Sequence, residues 1–142
     1  MGIARDQFTE ILQNIFKAGN KIALYKTVPR ESDEGGGVEM SGVGYQRYTI
    51  LNGDFSVSGG EVTSLQNMML YLSESDAGNA EGFGVYNGSK MLYFGKFTDA
   101  DGNPKALPVG YNTVPTIKKY DKTKNEGVHI TLTSTNVSAT AE

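Results

Sequence analysis

Histidine is the side chain best suited to moving protons near neutral pH, and this chain has one, His129. It sits in Val128–Ser134, where two-residue alternation groups it with Thr131 and Thr133 on the face opposite Ile130 and Leu132. With no Ser, Cys or second His beside it, it supports neither a nucleophilic triad nor a histidine metal site, and it reads as an exposed strand residue. Asp99, Asp101 and Asn103 space three oxygen side chains at i, i+2 and i+4, as a calcium loop begins. The EF-hand needs Gly at its sixth position and Glu at its twelfth, and here those are Pro104 and Gly110. A β-turn is expected there, ahead of a weak calcium site. The carboxylates of Glu31, Asp33 and Glu34, and of Glu74 and Asp76, lie among Ser and Gly in solvated loops, where nothing separates their pKa values for acid–base work. Gly35-Gly36-Gly37 precedes no Lys-Ser/Thr and opens no helix, so it is not a phosphate cradle. The chain has no cysteine, which excludes disulfides, thiolate nucleophiles and Cys-ligated zinc or iron–sulfur sites. No catalytic group, metal or cofactor is expected.

The elements that would carry a site come next. The 142 residues suit one domain, and 38% hydrophobic with 20% charged residues can bury a core. A net charge of −3 without a basic cluster argues against nucleic acid as the main partner. No run of about 18 apolar residues occurs and the N-terminus shows no secretory h-region, so a soluble chain without a membrane partner or cleaved signal is expected. Phe8, Ile11, Leu12, Ile15 and Phe16 form one apolar stripe, which predicts an amphipathic helix over residues 6–18, capped by Asp6 and ended at Gly19-Asn20. Such a short helix needs an apolar surface to lie on.

After Gly19 the period becomes two. Strands are predicted at Lys21–Lys26, Arg47–Leu51, Asp54–Val57, Asn67–Leu72, Gly82–Tyr86, Met91–Phe97, Asn112–Lys118 and Val128–Ser134. Asn52-Gly53, Ser58-Gly59-Gly60, Asn87-Gly88 and Asp101–Pro104 separate them as turns, and Asn87-Gly88 gives the strongest hairpin signal. Phe83, Val85, Leu92 and Phe94 are expected to share one inner face. Eighteen glycines, scattered rather than periodic, fit many tight turns. The fold class is mainly β: an antiparallel, jelly-roll-like β-sandwich of about eight strands over residues 21–134 with one N-terminal helix. Residues 27–44 form a long connector expected to act as a mobile surface arm, and residues 135–142 a flexible tail. Eight tyrosines without a tryptophan lean toward an interaction protein.

Several segments resemble, in order, a family of small tailed-phage virion structural proteins commonly labelled phage tail fibre proteins. Ile22-Ala23-Leu24-Tyr25-Lys26-Thr27-Val28-Pro29 is similar to the family's "LALYTxxP" strand. Val38–Arg47, with Ser41-Gly42-Val43-Gly44-Tyr45, resembles its "SGxGYxR" segment. Phe55–Thr63 is similar to "FxxxxGGxVxN", and Gly82–Tyr86 followed by Met91–Phe97 to "FGIYD…LLYxGxL". Val128–Leu132 fits the closing strand, so the likeness spans roughly residues 8 to 132.

The resemblance implies a non-enzymatic subunit of a phage particle, a capsid decoration (cement) protein or head-fibre base that acts through protein contacts. Its partners would be capsid or tail proteins of the same particle and further copies of itself, with three-fold assembly implied. The alternatives are a tail fibre or receptor-binding component, and a cell-wall hydrolase, which would need paired carboxylates in a cleft. The candidate inter-subunit contacts are Arg30, Glu31, Val38 and Met40 on the arm, with Tyr45, and the helix stripe if it is not wholly internal. Gly82, Gly84 and Gly95, in strand-like context, are read as places of close backbone packing. Thermal melting should be the same with and without EDTA; a lower midpoint with chelator would restore the Asp99–Asn103 cation site.

Overall fold

A computed structural model describes residues 4–29, 37–99 and 101–132, and the backbone of 139–141. Among the described residues one helix, α1 (Arg5–Ile15), precedes thirteen short strands. In chain order these are β1 (Lys21–Thr27), β2 (Val38–Glu39), β3 (Tyr48–Thr49), β4 (Phe55–Ser58), β5 (Glu61–Ser64), β6 (Met68–Met69) and β7 (Gly78–Ala80), then β8 (Gly82–Asn87), β9 (Lys90–Lys96), β10 (Leu107–Val109), β11 (Thr116–Ile117), β12 (His129–Leu132) and β13 (Ala139–Ala141). All the pairings are antiparallel. One sheet runs β2–β1–β8–β9, with β3 sharing the edge of β1 beside β2; the other runs β13–β12–β5–β4. Two ribbons, β7–β10 and β6–β11, complete a sandwich-like, mainly β arrangement with one N-terminal helix, the class expected from the sequence. The strand count exceeds eight because β2, β5, β7 and β10 lie in stretches read as loops and β13 in the stretch read as a tail.

The helix stripe faces inward. Phe8, Leu12 and Phe16 are buried, Ile15 packs at the margin, and Ile11 is 41% exposed. Phe16 lies 5.0 Å from Phe55 of one sheet and 5.7 Å from Tyr93 of the other, so the end of the helix closes the core between them. Asp6 is not the cap, since the helix begins one residue earlier with Ala4 in the extended capping position. Asp6 lies in the first turn, where a negative charge suits the helix dipole. At the other end Gly19 has φ +96°, and Asn20, buried, turns its amide back to donate to the carbonyls of Asn14 and Ile15 at 3.1 and 2.9 Å. These are the acceptors that a helix end leaves unpaired. The backbone of Asn20 also accepts from Ile50 N–H at 2.8 Å, which joins the helix end to the loop after β3.

Strand β8 is buried on both sides, and its glycines explain how. Register sets Phe83 opposite Leu24 and Gly95, and Val85 opposite Ile22 and Tyr93, all on the core face. Phe94 instead shares the outer face with Gly84, and Leu92 is the extra residue of a bulge between Val85 and Tyr86. The single inner face expected for Phe83, Val85, Leu92 and Phe94 is thereby corrected: a bulge reverses the side-chain alternation past it. On the outer face Tyr25 and Tyr86 lie over Gly84, where a Cβ would press on the Tyr25 ring at 3.1 Å, and their hydroxyls bond to each other. A Cβ on Gly82 would collide with the carbonyl of Gly95. Both glycines mark the close approach that their strand context suggests.

The described part of the connector, residues 37–44, is held and is not a free arm. Glu39 pairs with Tyr25, Val38 with Thr27, and Met40 N–H donates to Leu24 O at 2.8 Å. The edge of β1 carries backbone groups that need partners, and this segment supplies them. Residues 139–141 likewise pair with β12 as β13, where a flexible tail was expected. Asn20→Ala should lower unfolding free energy by about 1–3 kcal/mol, because two carbonyls lose their donor inside the fold. Urea denaturation of the variant against the wild-type chain measures this.

Candidate contact surface

The polar residues of the interior act on the fold itself. Glu39, on β2, accepts from Arg47 Nε and Nη2 at 3.0 and 2.9 Å and from the hydroxyl of Tyr45. The Tyr45 hydroxyl also accepts from Leu24 N–H, its ring packs edge-on against Tyr71 at 5.1 Å, and the Arg47 guanidinium sits 3.9 Å above the Tyr86 ring. Burial pushes the Glu39 carboxyl up, but the Arg47 and Tyr45 hydrogen bonds and the Arg47 charge outweigh it and hold the group below the ordinary glutamate range. Burial and the bond to Glu39 together raise the Tyr45 hydroxyl far above the usual tyrosine range.

Asp54, 1% exposed, gathers Leu51 N–H at 2.8 Å, the Tyr48 hydroxyl at 2.7 Å and the Gln66 amide, and so locks the Asn52-Gly53 turn to the strand after it. Ser64 donates its hydroxyl to Lys118 O and accepts from Val128 N–H, tying β5 to two later segments. The hydroxyls of Tyr71 and Tyr93 are buried with no partner among the described residues, and burial raises both pKa values. These rings therefore serve as apolar bulk.

His129 is half-buried rather than exposed. Its ring stacks on Tyr120 at 4.9 Å, and Nε2 lies 3.6 Å from Glu61 Oε1 of the neighbouring strand. The correction follows from packing: Tyr120 stacks on the ring and Glu61 flanks it from β5, so this outer face is partly covered. Asp99 closes its own turn, accepting from the N–H groups of Asp101 and Asn103 at 2.9 Å each, and these bonds hold its carboxyl below the ordinary range. A cleft of about 240 Å³ opens between residues 97–108 and 116–128, walled by Phe97, Leu107, Pro108, Ile117 and Val128. Lys105 Nζ crosses it to Asn125 O at 2.8 Å. Among the described residues Glu126 is the one carboxylate lining it.

The remaining conspicuous feature is apolar and outward. Met69 is 69% exposed, Tyr111 72%, Val43 61%, and Leu72 and Val114 nearly half exposed. They sit on three adjoining segments. Leu70 N–H donates to Pro115 O, Ser73 and Thr113 form a bridge, Asn112 N–H donates to Ser73 O, and Glu74 N–H donates to Val43 O. The five side chains form an outward apolar strip on and beside the β6–β11 ribbon, on segments that these hydrogen bonds join.

None of the sequence candidates is one of these five residues. Arg30 and Glu31, with Asp33 and Glu34, lie outside the described residues. Val38 is 52% exposed on β2 and can serve as a contact. Met40 is 2% exposed and packs in the core, so it has no surface to offer a neighbour, because the segment after β2 folds over the inner sheet face. Tyr45 is half-buried with its hydroxyl committed to Glu39 and Leu24, a plug at the core edge rather than an outward contact. Of the helix stripe only Ile11 remains outside. Tyr25, Tyr71, Tyr86 and Tyr93 are buried, so the tyrosine count reports on the core more than on an interface. Reasoning from sequence missed the strip, although Met68-Met69-Leu70-Tyr71-Leu72 held the signal: an unbroken apolar run cannot hide both faces in a two-stranded ribbon.

Because the folded Glu39 carboxyl sits below its unfolded value, the stability it contributes is complete above the ordinary glutamate range and is lost as pH falls through the folded value. Glu39→Gln should therefore flatten the acid side of the stability–pH profile, below about pH 5. Thermal melts from pH 7 to pH 3 check it, and an unchanged slope would refute the assignment. Comparison of the chain with family models, curated proteins and solved structures gives no match.

Proposed function

We propose that this chain is a non-enzymatic structural subunit that works through contact area, seated in a tailed-phage particle as a capsid decoration or head-fibre-base protein. The observation that supports the contact role is the exposed strip of Val43, Met69, Leu72, Tyr111 and Val114 on a domain whose other large apolar groups are mostly interior. Covering such side chains removes apolar area from water at roughly 25 cal/mol per Å², and a partner that binds only the folded form adds its binding energy to the stability of the assembly. The phage setting rests on the ordered resemblance of its segments to virion proteins. The interior polar groups suit a scaffold: Asn20, Asp54, Ser64 and Glu39 each satisfy backbone or side-chain partners within the fold.

Met69→Asp should leave the isolated domain's melting unchanged, since the side chain is largely in water, and should reduce incorporation of the chain into particles. Quantifying the subunit in purified particles tests this, and normal incorporation would reject the strip as the contact. Imaging the labelled subunit on intact particles separates placement: signal confined to the tail would replace the decoration reading by a tail-fibre one.

A further inference from the structure

The strip has a polarity that names its occupant. Its apolar side chains run along the ribbon between two ends of opposite charge. At the β11 end, Lys118 and Lys119 are exposed beside Asn67, whose side chain accepts from Lys119 N–H at 2.8 Å. Lys124 lines the same hollow, so three lysines there outnumber Asp121 and Glu126. Asp121 is engaged by its own turn, accepting from the Thr123 N–H and hydroxyl at 3.0 and 2.7 Å. At the far end Glu74 and Asp76 are both exposed, and residues 41–46, 72–78 and 109–114 around them contain no Lys or Arg.

Building on the contact reading above, we propose that the strip is covered by a second copy of this chain, packed antiparallel about a two-fold axis. An isologous interface brings the same patch of each subunit together, so a strip with one positive and one negative end is self-complementary only when its partner runs the opposite way. In that arrangement Lys118 and Lys119 of each copy meet Glu74 and Asp76 of the other, while Met69, Leu72 and Val114 pack across the middle. A parallel arrangement would oppose like charges at both ends, which disfavours it. A standard stable interface takes about 20–30 residues a side, more than the five apolar residues of the strip, so the charged ends must form part of the contact. The polarity favours pairs over the three-fold assembly that the family resemblance implies.

The test uses the purified full chain. Sedimentation equilibrium from low micromolar to millimolar concentration should show a monomer–dimer equilibrium. Met69→Asp, and independently Tyr111→Ser, should give monomers whose melting matches the wild-type monomer. Lys118→Glu with Lys119→Glu should weaken the dimer by roughly tenfold or more, and adding Glu74→Lys and Asp76→Lys should restore it. A chain monomeric throughout, a trimer, a dimer indifferent to Met69→Asp, or a fourfold charge reversal that fails to recover the dimer would each overturn the pairing. A monomer whose incorporation into particles still depends on Met69 overturns the two-fold pairing and leaves the contact reading standing. A dimer broken by Met69→Asp, with incorporation unaffected, supports the pairing and overturns the contact reading.

Discussion

The structure depends on a main apolar core that no one element could bury by itself. An eleven-residue helix is marginal alone, and each sheet presents one face that must be covered. Phe16 solves both problems at once by touching Phe55 of one sheet and Tyr93 of the other. Leu12 and Phe8 extend that seam along the helix, and Phe83, Ile130 and Val62 meet it from the strands. Since β8 is buried on both faces, its outer side needs a second cover, and the Tyr25–Tyr86 pair with Arg47 above it supplies one.

Around that core, polar side chains act as staples. Each sits where the backbone changes direction: Asn20 between helix and first strand, Asp54 at the turn before β4, Ser64 where β5 meets the 118–128 segment, and Glu39 with Arg47 where β2 leads back toward β3. Such turns leave backbone groups without ladder partners, and burying them unpaired costs free energy. The same accounting explains why these side chains hold no open chemistry. Their donors and acceptors are taken up by the fold, and the outward strip is left facing solvent.

The elements legible in the sequence were those with a strong local period. The helix stripe, β1 and the β8–β9 hairpin stand where alternation or helical spacing put them, but the turn falls on Gly88-Ser89, one residue past the expected Asn87-Gly88, because Asn87 pairs with Lys90 as the last rung of the ladder. Strand β5 was not legible because Val62 is its sole apolar residue; it becomes a strand through pairing with β4 on one side and β12 on the other. Strand β2 hid in a connector for a similar reason, since the edge of β1 recruits it. The contact strip was half legible: the run Met68–Leu72 showed the surplus of apolar residues but not which of them would be left outside.

By itself, the sequence determined the class of the fold: apolar residues at two-residue spacing demand a sheet with one face covered, and the lone helical stripe demands a surface to lie on. Tertiary structure alone decided direction. A bulge at Val85/Tyr86 turned Phe94 to the outer face, the closure of β2 on β1 drew Met40 into the core, and ribbon pairing left Met69 and Tyr111 in water. Local spacing constrains which residues share a face. Only long-range pairing sets which face meets solvent, because that choice depends on neighbours dozens of residues away.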